Sequence, residues 1–84
     1  MIAVSNAAKI LTRMRRSRLD WRIEDFKVLA DHLGIDYDQG GTSHVVFRHT
    51  EGGRLSVPAA KPIKPLYVRL FLDFIDRLGG EDAN

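Results

Sequence analysis

His44-Val45-Val46-Phe47-Arg48-His49-Thr50-Glu51-Gly52-Gly53-Arg54-Leu55-Ser56-Val57 is the stretch on which the fold of this chain turns. Residues 44–49 are rich in β-branched and aromatic side chains, which suit a pleated surface. Thr50-Glu51-Gly52-Gly53 places two glycines where the chain must reverse, and residues 54–57 read as the returning strand. Successive strand side chains point to opposite faces, so Val45 and Phe47 share one side and Leu55 and Val57 share one side of the next strand. Those four predict the apolar face of an antiparallel hairpin, directed at the helices. By the same parity His44 and Arg48 fall together on the other face.

The flanks extend the pattern. Upstream, Ile35 and Tyr37 alternate with Asp36 and Asp38, predicting a short strand joined to the hairpin by the turn Gln39-Gly40-Gly41-Thr42-Ser43. Before it, Ile23, Phe26, Leu29, Ala30 and Leu33 repeat at helical spacing. Asp20 is the expected cap of that helix, Glu24 and Asp25 suit the positive end of its dipole, and Gly34 marks its end. A first helix, capped by Ser5 or Asn6, runs to about Arg16 with Ala7, Ile10, Leu11 and Met14 on one side. The polar residues 15–18 lead out of it into a connector. Downstream, Pro58 and Pro62 are expected to halt pairing, because proline has no amide hydrogen. Pro65 fits the first turn of a last helix. Tyr67, Leu70, Phe71, Phe74, Ile75 and Leu78 are its expected buried stripe, Gly79 its terminator, and residues 80–84 a frayed tail. The order α-α-β-β-β-α predicts a two-layer α+β fold, a three-stranded antiparallel sheet with helices on one face.

At 84 residues the chain has room for one domain. Its 44% apolar and 29% charged residues belong to a globular rather than a disordered chain. Cysteine is absent, which removes disulfides, Cys-type zinc sites and thiol nucleophiles. The longest apolar runs are far shorter than the roughly 20 residues needed to span a bilayer, and Ser5, Asn6 and Lys9 interrupt any signal-peptide core. A cytoplasmic protein with no membrane partner is the expectation. The net charge of +2 is unevenly spread. Residues 1–22 carry six cations (Lys9, Arg13, Arg15, Arg16, Arg18, Arg22) against Asp20, and residues 44–69 carry five (Arg48, Arg54, Lys61, Lys64, Arg69) against Glu51. The blocks between and after them are acidic. Such basic blocks serve as solvated surface or as a groove for a polyanion.

Three histidines offer acid–base chemistry. His32 falls in the last turn of the second helix, a favourable place for partial positive charge. His49 ends its strand beside a turn and is expected to face solvent. Five positions along an unbroken strand put it on the opposite face from His44, which argues against a two-histidine mechanism. His44 opens its strand directly after a glycine pair. Backbone amides near Gly40 and Gly41 can approach an anion, Thr42 and Ser43 add hydroxyls, and a histidine can take a proton from a ribose 2′-OH or return one to a leaving oxygen. Those are the parts of metal-independent RNA cleavage. No spacing of histidines or carboxylates suggests a metal site, and the glycine pair lacks the lysine of a Walker phosphate loop. No cofactor is expected.

The ordered set Gly41-Thr42-Ser43-His44-Val45-Val46-Phe47-Arg48-His49, then Gly52-Gly53-Arg54-Leu55-Ser56-Val57-Pro58, then Lys61-Pro62-Ile63-Lys64-Pro65-Leu66-Tyr67, resembles the HicA-type toxins. In that family a Gly-Ser/Thr-Ser-His strand is followed by a Val-Pro strand end and a Lys-Pro lead-in to the last helix. The resemblance covers roughly residues 21–78, and residues 1–20 look like a basic helical extension. It implies a fold like a double-stranded-RNA-binding domain, a toxin endoribonuclease that cleaves mRNA, and a HicB-like antitoxin partner. The family's catalytic histidine falls on His44, and Gly41, Thr42 and Ser43 form its approach. With His44 as anchor, Lys61, Lys64 and Arg48 are expected to hold the RNA backbone. Tyr67 could stack on a base or pack in the core. Many members carry a second histidine after the Val-Pro pair, where this chain has Ala59 and Ala60. A non-catalytic RNA-binding module and a protein-interaction domain are the competing readings.

Overall fold

The computed structural model describes residues 6–39 and 43–79. Its elements are α1 (Asn6–Arg16), α2 (Ile23–Leu33), β1 (Asp36–Asp38), β2 (His44–His49), β3 (Gly53–Pro58) and α3 (Pro65–Gly79). The strands form one antiparallel sheet in the order β1-β2-β3. The predicted α+β order is therefore present. Ser5, Gly40, Gly41, Thr42 and residues 80–84 lie outside the described residues, and so do the readings that fell on them.

Burial follows the alternation of the strands. Val45, Phe47 and Val57 are fully enclosed, and Leu55 packs partly against the same core. Phe26 of α2 and Phe71 of α3 stack at 4.4 Å between centroids, and Phe47 meets Phe71 at 5.0 Å. The helices thus cover one face of the sheet and leave the other open. α1 joins the same core: Met14 is buried with Ala7, and Ile10 and Leu11 pack at its margin. Arg15 also pairs with Asp76 of α3 at 2.7 Å, an exposed bridge that positions more than it stabilises.

Local chemistry sets the helix ends. α2 does not start at the Asp20 cap the sequence suggests. Asp20 sits in the left-handed region with φ 66°, and Trp21 turns inward before the helix begins. Arg22 takes the capping position instead. Its N–H donates to the Asp25 carboxylate at 3.1 Å, while the Asp25 N–H donates to the Arg22 carbonyl at 3.0 Å. The other end matches expectation: Gly34 has φ 71°, and the Ile35 N–H donates to the Ala30 carbonyl at 2.9 Å.

Two expectations about the last third of the chain are corrected. Pro58 does not stop pairing. It is the final residue of β3, opposite His44, and the Ala59 N–H donates to the Ser43 carbonyl at 2.7 Å. A proline at a strand end loses only its own donor, so the next amide can still close the ladder. The buried stripe of α3 is also rotated. Val68, Phe71, Leu72, Phe74 and Ile75 are buried, whereas Leu70 is 36% exposed and Tyr67 and Leu78 are half-buried.

Candidate functional site

β2 carries its candidate site residues on the face the helices do not cover. His44 and Arg48 are exposed and Val46 is half-buried, alternating with the enclosed Val45 and Phe47. Register extends that face across the sheet. Arg48 stands opposite Asp36 on β1 and Arg54 on β3, Val46 opposite Asp38 and Ser56, and His44 opposite Pro58. The open face therefore has a histidine end and, four residues along β2, an arginine end, about 13 Å apart at the rise of a strand.

The histidine end is completed by the connector between β3 and α3. After Pro58 the chain runs through Ala59 and Ala60 to Lys61 and Lys64, both exposed. Three contacts fix its path. The Ala59–Ser43 bond holds its start, the Ile63 N–H donates to the Trp21 carbonyl at 2.8 Å, and the Ile63 side chain is almost wholly buried. Trp21 is itself held by its indole N–H, which donates to the Ser17 carbonyl at 2.7 Å, and Arg13 lies over its ring at 5.9 Å. An apolar plug thus keeps a charged connector at the edge of the sheet. Pro58, Ala60, Lys64 and Tyr67 line a hollow of about 130 Å³ there. Tyr67 packs partly against the core, as one of the two expectations for it had it, and also lines this hollow.

On the other side of β2, Lys27 donates to the Gln39 side chain at 3.1 Å and lies over the Tyr37 ring at 5.8 Å. These contacts tie the end of β1 to α2. The Tyr37 hydroxyl is hydrogen-bonded to Asp31, and that carboxylate, with a contribution from desolvation, raises the phenol above its ordinary pKa of 10.0. Gly41 and Thr42, the proposed approach to His44, lie outside the described residues. Ser43 is exposed, although its carbonyl is taken by Ala59.

The structure brings Ser43, His44, Lys61 and Lys64 to one end of the sheet and sets Arg48 apart from them. Arg48 shares the face but not the immediate neighbourhood of His44. It lies with Asp36, His49, Thr50, Gly53 and Arg54 around an open hollow of about 380 Å³. His49 departs from its expected solvent-facing position. It is half-buried, and its Nδ1 accepts the Glu51 N–H at 3.0 Å, a contact that shapes the hairpin turn. His32 lies in the last turn of α2, as its place in the sequence suggested, and it is exposed. Sequence reasoning missed Arg54, which faces Arg48 directly; counting back across the Thr50–Gly53 turn was the signal that could have found it. Among the described residues no three histidines, cysteines or acids gather as a metal-binding group, and no helix is long and apolar enough to cross a membrane.

Comparison of the chain with family models, curated proteins and solved structures finds no match in any of the three.

Proposed function

We propose that this chain is a cytoplasmic, metal-independent endoribonuclease of the HicA toxin type, acting on mRNA and restrained by a HicB-like antitoxin. The observation that carries the reading is the exposed His44 at the head of β2, on the uncovered sheet face, beside the connector that bears Lys61 and Lys64. The α-β-β-β-α order from α2 onward is compatible with the double-stranded-RNA-binding-like fold that the family resemblance implies.

Chemistry at such a site needs little apparatus. The imidazole takes the proton of a ribose 2′-OH as that oxygen attacks the adjacent phosphorus. The phosphorus–oxygen bond to the next nucleotide breaks, and the imidazolium returns the proton to the departing 5′-oxygen. One strand keeps a 2′,3′-cyclic phosphate and the other a 5′-hydroxyl. Lys61 and Lys64 hold the backbone, where their charge offsets that of the reacting phosphate. A positioned acid–base group contributes about 10²–10⁴-fold.

The test compares purified wild type and His44→Ala on labelled RNA in EDTA. Cleavage by the wild type with a loss of at least about 10²-fold in the variant supports the proposal; equal decay by both removes His44 from the mechanism. A second reading, binding without cleavage, is favoured by two observations. His49, the other histidine of β2, is engaged by Glu51, and Ala59 and Ala60 stand where a second histidine would follow Val57-Pro58. It predicts RNA that is retained on the protein and recovered intact.

A further inference from the structure

The arginine end of the open face poses a problem of its own. Arg48 and Arg54 are direct cross-strand partners on β2 and β3, and both are exposed. Like charges placed opposite each other destabilise a sheet. Relief from a carboxylate would be the ordinary remedy, and Asp36 is in register with Arg48 on its other side. Yet neither arginine forms an ion pair with any described residue; the one bridge among them joins Arg15 to Asp76. Both residues instead line the hollow of about 380 Å³ at the turn of the hairpin, together with Asp36, His49, Thr50 and Gly53. Two neighbouring arginines without an ion-pair partner among the described residues, at the edge of an open hollow, form an arrangement suited to a phosphate.

Charge on the rest of the face gives the arrangement a direction. Asp36 and Asp38 make the β1 edge acidic, whereas β2 and β3 present His44, Arg48, Arg54 and Ser56. A polyanion lying on the sheet is repelled from β1 and drawn over the β2–β3 side. From the arginine pair that track runs about 13 Å along β2 to His44, and at the end of β3 the connector bears Lys61 and Lys64.

We infer that Arg48 and Arg54 form a second phosphate subsite, which grips an RNA strand a few nucleotides from the linkage at His44 and lays it along the β2–β3 hairpin. The subsite rests on the nuclease reading for the identity of its ligand, but not for its existence. Arg48 and Arg54 are positioning residues here: they fix where the strand lies and leave the proton transfer to His44.

Binding of single-stranded RNA to His44→Ala protein, which cannot cleave by the proposed route, tests the subsite across a series of salt concentrations. Arg48→Gln and Arg54→Gln are each expected to weaken binding about tenfold. Each leaves the other arginine on the phosphate, so the slope of log K against log salt is expected to change by less than the value of about 0.7 for one phosphate on a single strand. Because both arginines grip the same phosphate, the double variant loses that contact altogether and flattens the slope by the full value of about 0.7. Arg69→Gln, an exposed cation on α3 in the other layer, is the control and changes binding less than twofold. Arginine variants that behave like Arg69→Gln overturn the subsite, even if wild-type protein cleaves RNA through His44. Arginine-dependent binding by a wild type that never cleaves overturns the nuclease reading and leaves the subsite standing. Failure to bind RNA at low salt, with arginine-dependent binding of polyglutamate, overturns the phosphate assignment in favour of an acidic protein partner.

Discussion

The two ends of the β2–β3 hairpin are held by different physics. At the turn, Gly52 lies so close to α3 that an added Cβ would come within 2.7 Å of a Leu78 methyl and 3.2 Å of the Phe74 ring. Arg77 closes the contact by donating to the Gly52 carbonyl at 3.2 Å while lying over the Phe74 ring at 5.6 Å. At the histidine end the contacts are of another kind. Position there comes from backbone bonds to the connector and from one buried side chain, Ile63. The difference teaches where a mutation disturbs the fold and where it disturbs the proposed chemistry. The turn can be loosened without moving His44, whereas the connector carries both the lysines and the plug that holds them.

Substitutions at each end sharpen that contrast. Ile63→Ala should have the largest effect, a destabilisation of about 3 kcal/mol from lost burial and the cavity left behind. It should also weaken RNA binding by freeing Lys61 and Lys64, which denaturant melts and binding assays would record together. Gly52→Ala should cost about 1–2 kcal/mol, since Leu78 can swing aside but the Phe74 ring yields less readily. RNA binding measured well below the unfolding midpoint should be unchanged in that variant; a parallel loss would mean that the two ends are coupled. Arg77→Gln should cost about 1 kcal/mol through loss of the Gly52 bond and the ring contact.

The smallest effect concerns β1, the strand outside the hairpin. The Tyr37 phenol is held neutral by its bond to Asp31, so its pKa in the folded state is raised above the unfolded 10.0. A raised folded pKa adds stability that is fully present below the unfolded value and lost as pH rises through the folded one. Asp31→Asn should bring the phenol back toward 10.0 in an ultraviolet alkaline titration. Titration of Tyr37 at the same pH in both proteins would show that the carboxylate is not the cause.

The parts of the fold legible in the sequence were those where period and punctuation agree. Period-2 alternation in residues 44–57, bounded by Thr50-Glu51-Gly52-Gly53, fixed both the hairpin and the face on which His44 lies. Gly34 ended α2 because a left-handed residue was needed there. α3 was harder to orient. Leu66, Tyr67, Val68, Leu70, Phe71 and Leu72 surround its first turns almost completely, so periodicity could not choose between neighbouring stripes, and only packing against Phe26 and Phe47 did. Asp20 was a plausible cap in isolation. The burial of Trp21 carried the chain past it, and Asp25 then supplied the capping acceptor. Parity showed that Arg48 shares a face with His44, but not that the strand's length keeps them at opposite ends. The pairing of Arg48 with Arg54 is a property of register, which turn length fixes and composition does not.

The central claim is that the exposed imidazole of His44 performs proton transfer in RNA cleavage. The most direct measurement is the rate at which purified wild-type and His44→Ala proteins, matched in melting temperature, cleave one labelled RNA in EDTA. The account predicts that the variant binds that RNA as the wild type does and cleaves it at least about 10²-fold more slowly. Equal cleavage by the two proteins, or no cleavage by either, would contradict it.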